Sequence, residues 1–260
     1  MARRVPIVEV ADLVTHYGDT LVLDGVSFEV HPGEILTIVG ASGCGKSTLL
    51  KHVIGLLKPT SGTIKLWGTD ISQLDEEQLT GIQSRFGVSF QSGGLFNSMT
   101  LSDNIALPLL ERRNLTPEII DRVVRSKLAM VGLEKAQHVL PSELSGGMKK
   151  RAGLARALAL DPEVVFFDEP SAGLDPITAA GLDKLILDLR RALGLTVVVV
   201  THELDSIHQV ADRILMLDRG RVIFYGRQDE MEASDNARLR QFFSRIPDES
   251  MTARDAEAKE

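Results

Sequence analysis

The 260-residue chain has one cysteine, no excess of positive charge and no long apolar run. With Cys44 alone, no disulfide can form within the chain, which fits a reducing compartment. A formal net charge of −7 and a pI near 5.5 leave no overall basic footprint of the kind a nucleic-acid partner requires. No uninterrupted apolar stretch nears the ~20 residues that span a bilayer, so a role at a membrane needs another subunit as anchor. Met1-Ala2-Arg3-Arg4 has the charges of a signal peptide. Glu9 and Asp12 interrupt the apolar run behind it, and secretion is not expected. At this length the chain suits one α/β domain with a small insertion, or two modest domains.

The densest chemical signal is Gly40 to Thr48, GASGCGKST. An apolar strand, Glu34 to Val39, precedes it, and a helix with Leu49, Leu50, Val53, Ile54 and Leu57 at helical spacing follows. Strand, glycine loop and helix together are the setting a phosphate-binding loop needs. Gly40, Gly43 and Gly45 let successive backbone N–H groups and the positive helix end converge on one anion. Lys46 supplies a point charge for the β- and γ-phosphates and Ser47 a hydroxyl for Mg²⁺. Cys44 reads as a tolerated filler at a variable loop position. These residues predict binding of a nucleoside triphosphate.

Val5 to Val30 alternates β-prone runs with turn signals at Tyr17-Gly18-Asp19 and Leu23-Asp24-Gly25, which predicts an antiparallel sheet joined by Thr63 to Trp67. Tyr17 could stack on a base or pack locally. Asp75 to Gln83 reads as a short polar helix, and Phe86 to Phe90 as a strand delivering Gln91 on the side where open α/β sheets bind ligands. Thr116-Pro117-Glu118 starts a helix within a helical unit from Leu101 to Leu140. Ser145 suits the N-cap of a long helix, and Gly146 and Gly147 expose backbone donors there, a second anion site. Lys149, Lys150 and Arg151 read as solvated if that helix lies on the surface.

Val164 to Phe167 is a run expected of a parallel strand buried on both faces. It delivers Asp168 and Glu169, a pair suited to Mg²⁺ chemistry and a water-activating base, or else to capping the next helix. Thr196 to Val200 is a second such strand, ending in Thr201 and His202. His202 could reach a phosphate or be structural. Ile214 to Leu217 and Arg221 to Tyr225 read as a closing hairpin.

In this order GASGCGKST, Gln91, LSGGM, VVFFDE, SAGLD and His202 resemble the nucleotide-binding subunit of ATP-binding-cassette (ABC) transporters from Val8 to Gly226. The resemblance implies a P-loop NTPase core over residues 1–247, with an N-terminal antiparallel β subdomain and an α-helical subdomain inserted at about 92–144. A polar, flexible tail, 248–260, would follow. ATP and Mg²⁺ are the implied cofactors. Gly40, Ser42, Gly43, Cys44, Gly45, Lys46, Ser47 and Thr48 would hold the phosphates, and Tyr17 the adenine. Ser47, Gln91 and Asp168 would order Mg²⁺ and water, with Glu169 as general base and His202 at the γ-phosphate. Ser145, Gly146 and Gly147 would complete the site of a second copy, with Asp175 communicating across the interface. The implied partners are that second copy, head to tail, and a multi-spanning permease, at the cytoplasmic face of a bacterial inner membrane; no nucleic acid is implied.

Phe90-Gln91-Ser92-Gly93-Gly94-Leu95-Phe96, and Met148 where most of the family has glutamine, are similar to the ATPase of the maintenance-of-lipid-asymmetry phospholipid transporters. That subgroup works with an MCE-domain protein as well as a permease. Another substrate, such as an amino acid, and a soluble role in DNA repair or translation are the competing readings. Only 54 positions separate Gln91 from Ser145, too few for the long coiled coil of chromosome-type relatives.

Overall fold

The computed structural model describes residues 5–91, 93–111 and 115–246, so the tail at 248–260 and Ser92 lie outside the described residues. The chain begins with β1 (Val8–Tyr17), β2 (Thr20–Val30), β3 (Ile35–Val39), α1 (Lys46–Val53), β4 (Ser61–Leu66) and β5 (Thr69–Asp70). It continues through α2 (Glu76–Gln83), β6 (Phe86–Ser89), α3 (Leu101–Leu110), α4 (Pro117–Met130) and α5 (Gly146–Ala157). Next come β7 (Val164–Asp168), α6 (Pro176–Leu193), β8 (Thr196–Val200), α7 (Leu204–Val210) and β9 (Arg213–Asp218). β10 (Arg221–Arg227), α8 (Gln228–Glu232) and α9 (Ala237–Phe243) complete it.

An antiparallel sheet runs β2-β1-β4-β5, and a larger one β10-β9-β3-β8-β7-β6. In the larger sheet only β10 is antiparallel to its neighbour. Its inner strands are apolar at nearly every position because both faces are covered. The alternation of side chains sorts them with a period of two. Val165, Phe167, Val197 and Val199 join the core beneath α3, α4, α5 and α6. Val164, Phe166, Val198 and Val200 join the core shared with α1 and the antiparallel sheet. No described helix is long and apolar enough to cross a membrane.

Local chemistry explains where the elements start. Asp75 and Gln78 form a capping box at α2, and Thr100 and Asp103 do the same at α3. Pro117 sits in the first turn of α4, where its missing N–H costs nothing. The structure departs from the sequence reading at Leu23-Asp24-Gly25, which is not a turn. β2 runs straight through, and the register against β1 slips from Leu13↔Val26 to Thr15↔Leu23, so one extra residue is absorbed as a bulge. Short helices α7, α8 and α9 also follow β8, where the sequence suggested only a hairpin.

His52, at the last turn of α1, is 1% exposed and joins the two layers. Its Nδ1 lies 2.9 Å from the Leu57 carbonyl, which can only accept, so Nδ1 carries the proton and Nε2 accepts from the Thr15 hydroxyl at 2.8 Å. Burial lowers its pKa, and the Leu57 bond opposes that only partly. The unfolded chain, with histidine near its ordinary value of about 6.5, therefore binds the proton first. Stability from this group is present above that value and is lost as pH falls below it. The urea midpoint is expected to fall between about pH 7 and pH 5.5, with a shallower fall in His52→Gln. Equal slopes in the two proteins would show that His52 does not contribute.

Candidate active site

Parallel pairing places the carboxyl ends of β3, β6, β7 and β8 on one edge of the sheet. The segments leaving those ends line one cavity of about 910 Å³. Gly40, Ser42, Gly43, Gly45, Lys46, Ser47 and Thr48 come from β3 and α1. Gln91 follows β6, Glu169 follows β7 and His202 follows β8.

The loop from Gly40 to Gly45 could not be built from other residues at its first position. A Cβ on Gly40 would stand 2.2 Å from the Leu217 carbonyl oxygen of β9. Gly45 caps α1 with φ 109, turning the first amides of the helix toward the cavity side. Lys46 is 8% exposed, and its Nζ donates to the carbonyls of Gly40 at 2.8 Å and Ala41 at 3.0 Å. Cys44 is buried beneath the loop instead of lining the cavity, and burial raises its thiol pKa.

Ser47 Oγ donates to Asp168 Oδ1 at 3.3 Å. Burial raises the Asp168 pKa and neighbouring Glu169 adds to the rise, while the Ser47 bond, Lys51 and Lys46 oppose it. Glu169 has φ 52, a left-handed conformation that is uncommon for a residue with a side chain. Its N–H is held by the Val200 carbonyl at 2.8 Å. Glu169 Oε1 accepts from His202 Nδ1 at 2.8 Å, whereas Oε2 is buried with no hydrogen-bond partner. One carboxylate oxygen is thus oriented and the other has no protein partner.

Besides Cys44 and Asp168, which do not line the cavity, five residues singled out in the sequence stand away from it. Tyr17 ends β1 with half its surface exposed. Ser145 caps α5, accepting from the Met148 N–H, and Ser145 and Gly146 are exposed. Gly147 packs against α6, where a Cβ would meet Thr178 Cγ2 at 2.5 Å. Asp175 caps α6 through the N–H groups of Ile177 and Thr178, and its pKa is held down first by the Thr178 hydroxyl and then by these backbone bonds.

Other residues escaped the sequence reading. Lys150 is 9% exposed, not solvated, and its Nζ donates to the carbonyls of Gln91 and Glu169. Burial lowers its pKa, partly offset by Glu169 and Asp168. Phe242 of α9 and Arg245 beyond it line the cavity, beside Val22, Glu203 and Leu204. Only the apolar spacing Leu239, Phe242, Phe243 hinted that α9 packs inward.

A family model described as "ABC transporter" matches residues 23–172. The chain is 41% identical over 237 residues to "Probable ribonucleotide transport ATP-binding protein mkl" of Mycobacterium tuberculosis (strain H37Rv), covering 91% of this chain. It spans 66% of that relative's length. It is 40% identical over 242 residues to "Intermembrane phospholipid transport system ATP-binding protein MlaF" of Escherichia coli (strain K12), covering 93% of this chain and 90% of the relative. Among solved structures it superposes on MJ0796, an ATP-binding cassette described as a dimer in a post-hydrolysis state with ADP and Pi. The TM-score is 0.76 at 31% identity, over 85% of this chain and 98% of that one. Phosphate loop, strand order and these likenesses agree, and the chain belongs to the ATP-binding subunits of ABC transporters, which are ATPases.

Proposed function

We propose that this chain powers a membrane transporter by hydrolysing ATP between two copies of itself, and that the cargo is phospholipid. The observation carrying the catalytic part is the Glu169 carboxylate, fixed at Oε1 by His202 with Oε2 unpaired, in the cavity that also holds the phosphate loop. Lys46 and the loop amides bind the phosphates, and Thr48 belongs to the same cradle. Glu169 Oε2 accepts the proton of the attacking water. His202, on the lining of the same cavity, keeps the carboxylate aimed and would contact the γ-phosphate.

The donor set fits Mg²⁺: a hydroxyl at Ser47, the Asp168 carboxylate bonded to it, and the Gln91 amide on the same cavity. Among the described residues no cluster of three or more His, Cys, Asp or Glu side chains forms a closed metal cage, as suits an ion held mostly by phosphate and water. When bound, Mg²⁺ would neutralise developing phosphate charge, and its charge would offset the rise that desolvation causes in the Asp168 pKa.

A second copy accounts for the exposed groups. Ser145 and Gly146 offer donors at the start of α5 that reach nothing in their own chain's cavity. Asp175 lies on the same surface region, and neighbouring Ile177 is 86% exposed. Head-to-tail pairing would bring these against the other copy's phosphate loop and cover Ile177. The MJ0796 dimer supports this arrangement, and Tyr17 remains the proposed adenine platform.

For the cargo, MlaF supports phospholipid because the likeness extends over 90% of its length, against 66% for mkl. The mkl likeness is equally strong per residue and favours a nucleotide cargo as the second reading. As an ATP-binding subunit of this family, the chain would sit at the cytoplasmic face of the inner membrane, held by a permease.

Glu169→Gln is expected to slow turnover by roughly 10²- to 10⁴-fold while ATP binding persists, checked by phosphate release and nucleotide titration. Near-wild-type turnover would remove Glu169 from the role of base. Met148→Ala is expected to retain more ATPase activity than Ser145→Ala, because Ser145 and backbone amides supply the donors; equal losses would contradict this. Purification from native membranes should recover a permease, an MCE-domain protein and phospholipid. Recovery with a solute-binding protein instead would discard the lipid cargo.

A further inference from the structure

α5 touches the loop after β6 along a single stripe. Lys150 Nζ donates to the Gln91 carbonyl at 2.6 Å, and the Arg156 guanidinium donates to the Gly94 carbonyl. Between them Gly153 lies so close that a Cβ there would stand 2.6 Å from the Gly93 carbonyl oxygen. Spaced three residues apart, these positions share one helix face. Lys150 alone extends the contact to the catalytic strand, with Nζ 2.9 Å from the carbonyl of Glu169.

The same helix starts at Ser145 and Gly146, exposed and outside its own chain's cavity. Lys150 lies one turn further in. We propose that Lys150 is a positioning residue that ties the exposed end of α5 to Gln91 and Glu169 of the same chain. Engagement of α5 by the other copy's nucleotide is thereby transmitted to the local base. The proposal rests on the reading that the chain hydrolyses ATP between two copies. Glu169 holds a left-handed backbone, and its carbonyl faces a desolvated ammonium. Charge-assisted bonds of this kind are strong and directional. Moving Nζ therefore shifts the peptide that aims the base, and small misplacements of a reacting group are costly in rate.

The test replaces Lys150 with methionine, which keeps an unbranched apolar stem and loses the terminal donors. In the full-length protein kcat is expected to fall ~10- to 100-fold, with KM for ATP and nucleotide affinity within about twofold of wild type. Lys150→Arg, which retains several donors, is expected to recover most of kcat. Hydrogen exchange without nucleotide should quicken about tenfold or more at residues 93–95, 171 and 172 of Lys150→Met, with β1 and β2 unchanged. Wild-type kcat in Lys150→Met, no recovery in Lys150→Arg, unchanged exchange, or faster exchange throughout β1 and β2 overturns the proposal. If the wild-type chain itself releases no phosphate, the hydrolysis reading fails. The exchange readout still decides whether Lys150 makes the tie.

Discussion

Parallel pairing of β3, β6, β7 and β8 places four chain ends on one edge of one sheet, and the chemistry of the cavity hangs from those ends. The strands can be parallel only because helices and the antiparallel layer cover both faces. The doubly buried runs Ile35–Val39, Val164–Phe167 and Thr196–Val200 are thus the price of bringing Gly40, Glu169 and His202 together. A polar substitution inside those strands acts on catalysis through position, at a distance from any phosphate.

The edge gathers opposing charges at short range. Lys46 and Lys150 bring buried ammonium groups, each held by two backbone carbonyls, while Asp168 and Glu169 bring carboxylates. Desolvation works against the charged forms of Lys150 and Asp168, and directed partners oppose it. Glu169 has one buried oxygen, Oε2, with no protein hydrogen-bond partner, and an unmet buried acceptor is costly unless a donor reaches it. Strain at its backbone and a histidine at Oε1 preserve that aim. In the proposed pairing, the donors of α5 and the cap Asp175, which face outward in a single chain, would complete the other copy's site.

The legible parts of this fold are those whose partners are near in sequence. The phosphate loop declares itself because strand, glycines, lysine and helix are contiguous, and β7 and β8 because burial on both faces writes unbroken apolar runs. The cap at α5 is likewise local. The bulge in β2 was illegible because Leu23-Asp24-Gly25 has turn chemistry, and only pairing with β1 reveals a strand that absorbs it. Lys150 looked solvated because its partners, Gln91 and Glu169, are 59 and 19 residues away. Phe242 and Arg245 reach the cavity only after α9 folds back, which a seven-residue helix hardly announces.

The central claim, that two copies share each ATP, is tested most directly by determining the structure of the Glu169→Gln chain with Mg²⁺ and ATP. The account predicts two copies head to tail, each nucleotide lying between Lys46 of one copy and Ser145 of the other. A nucleotide ligated wholly within one chain, with Ser145 and Asp175 left facing solvent, would contradict it.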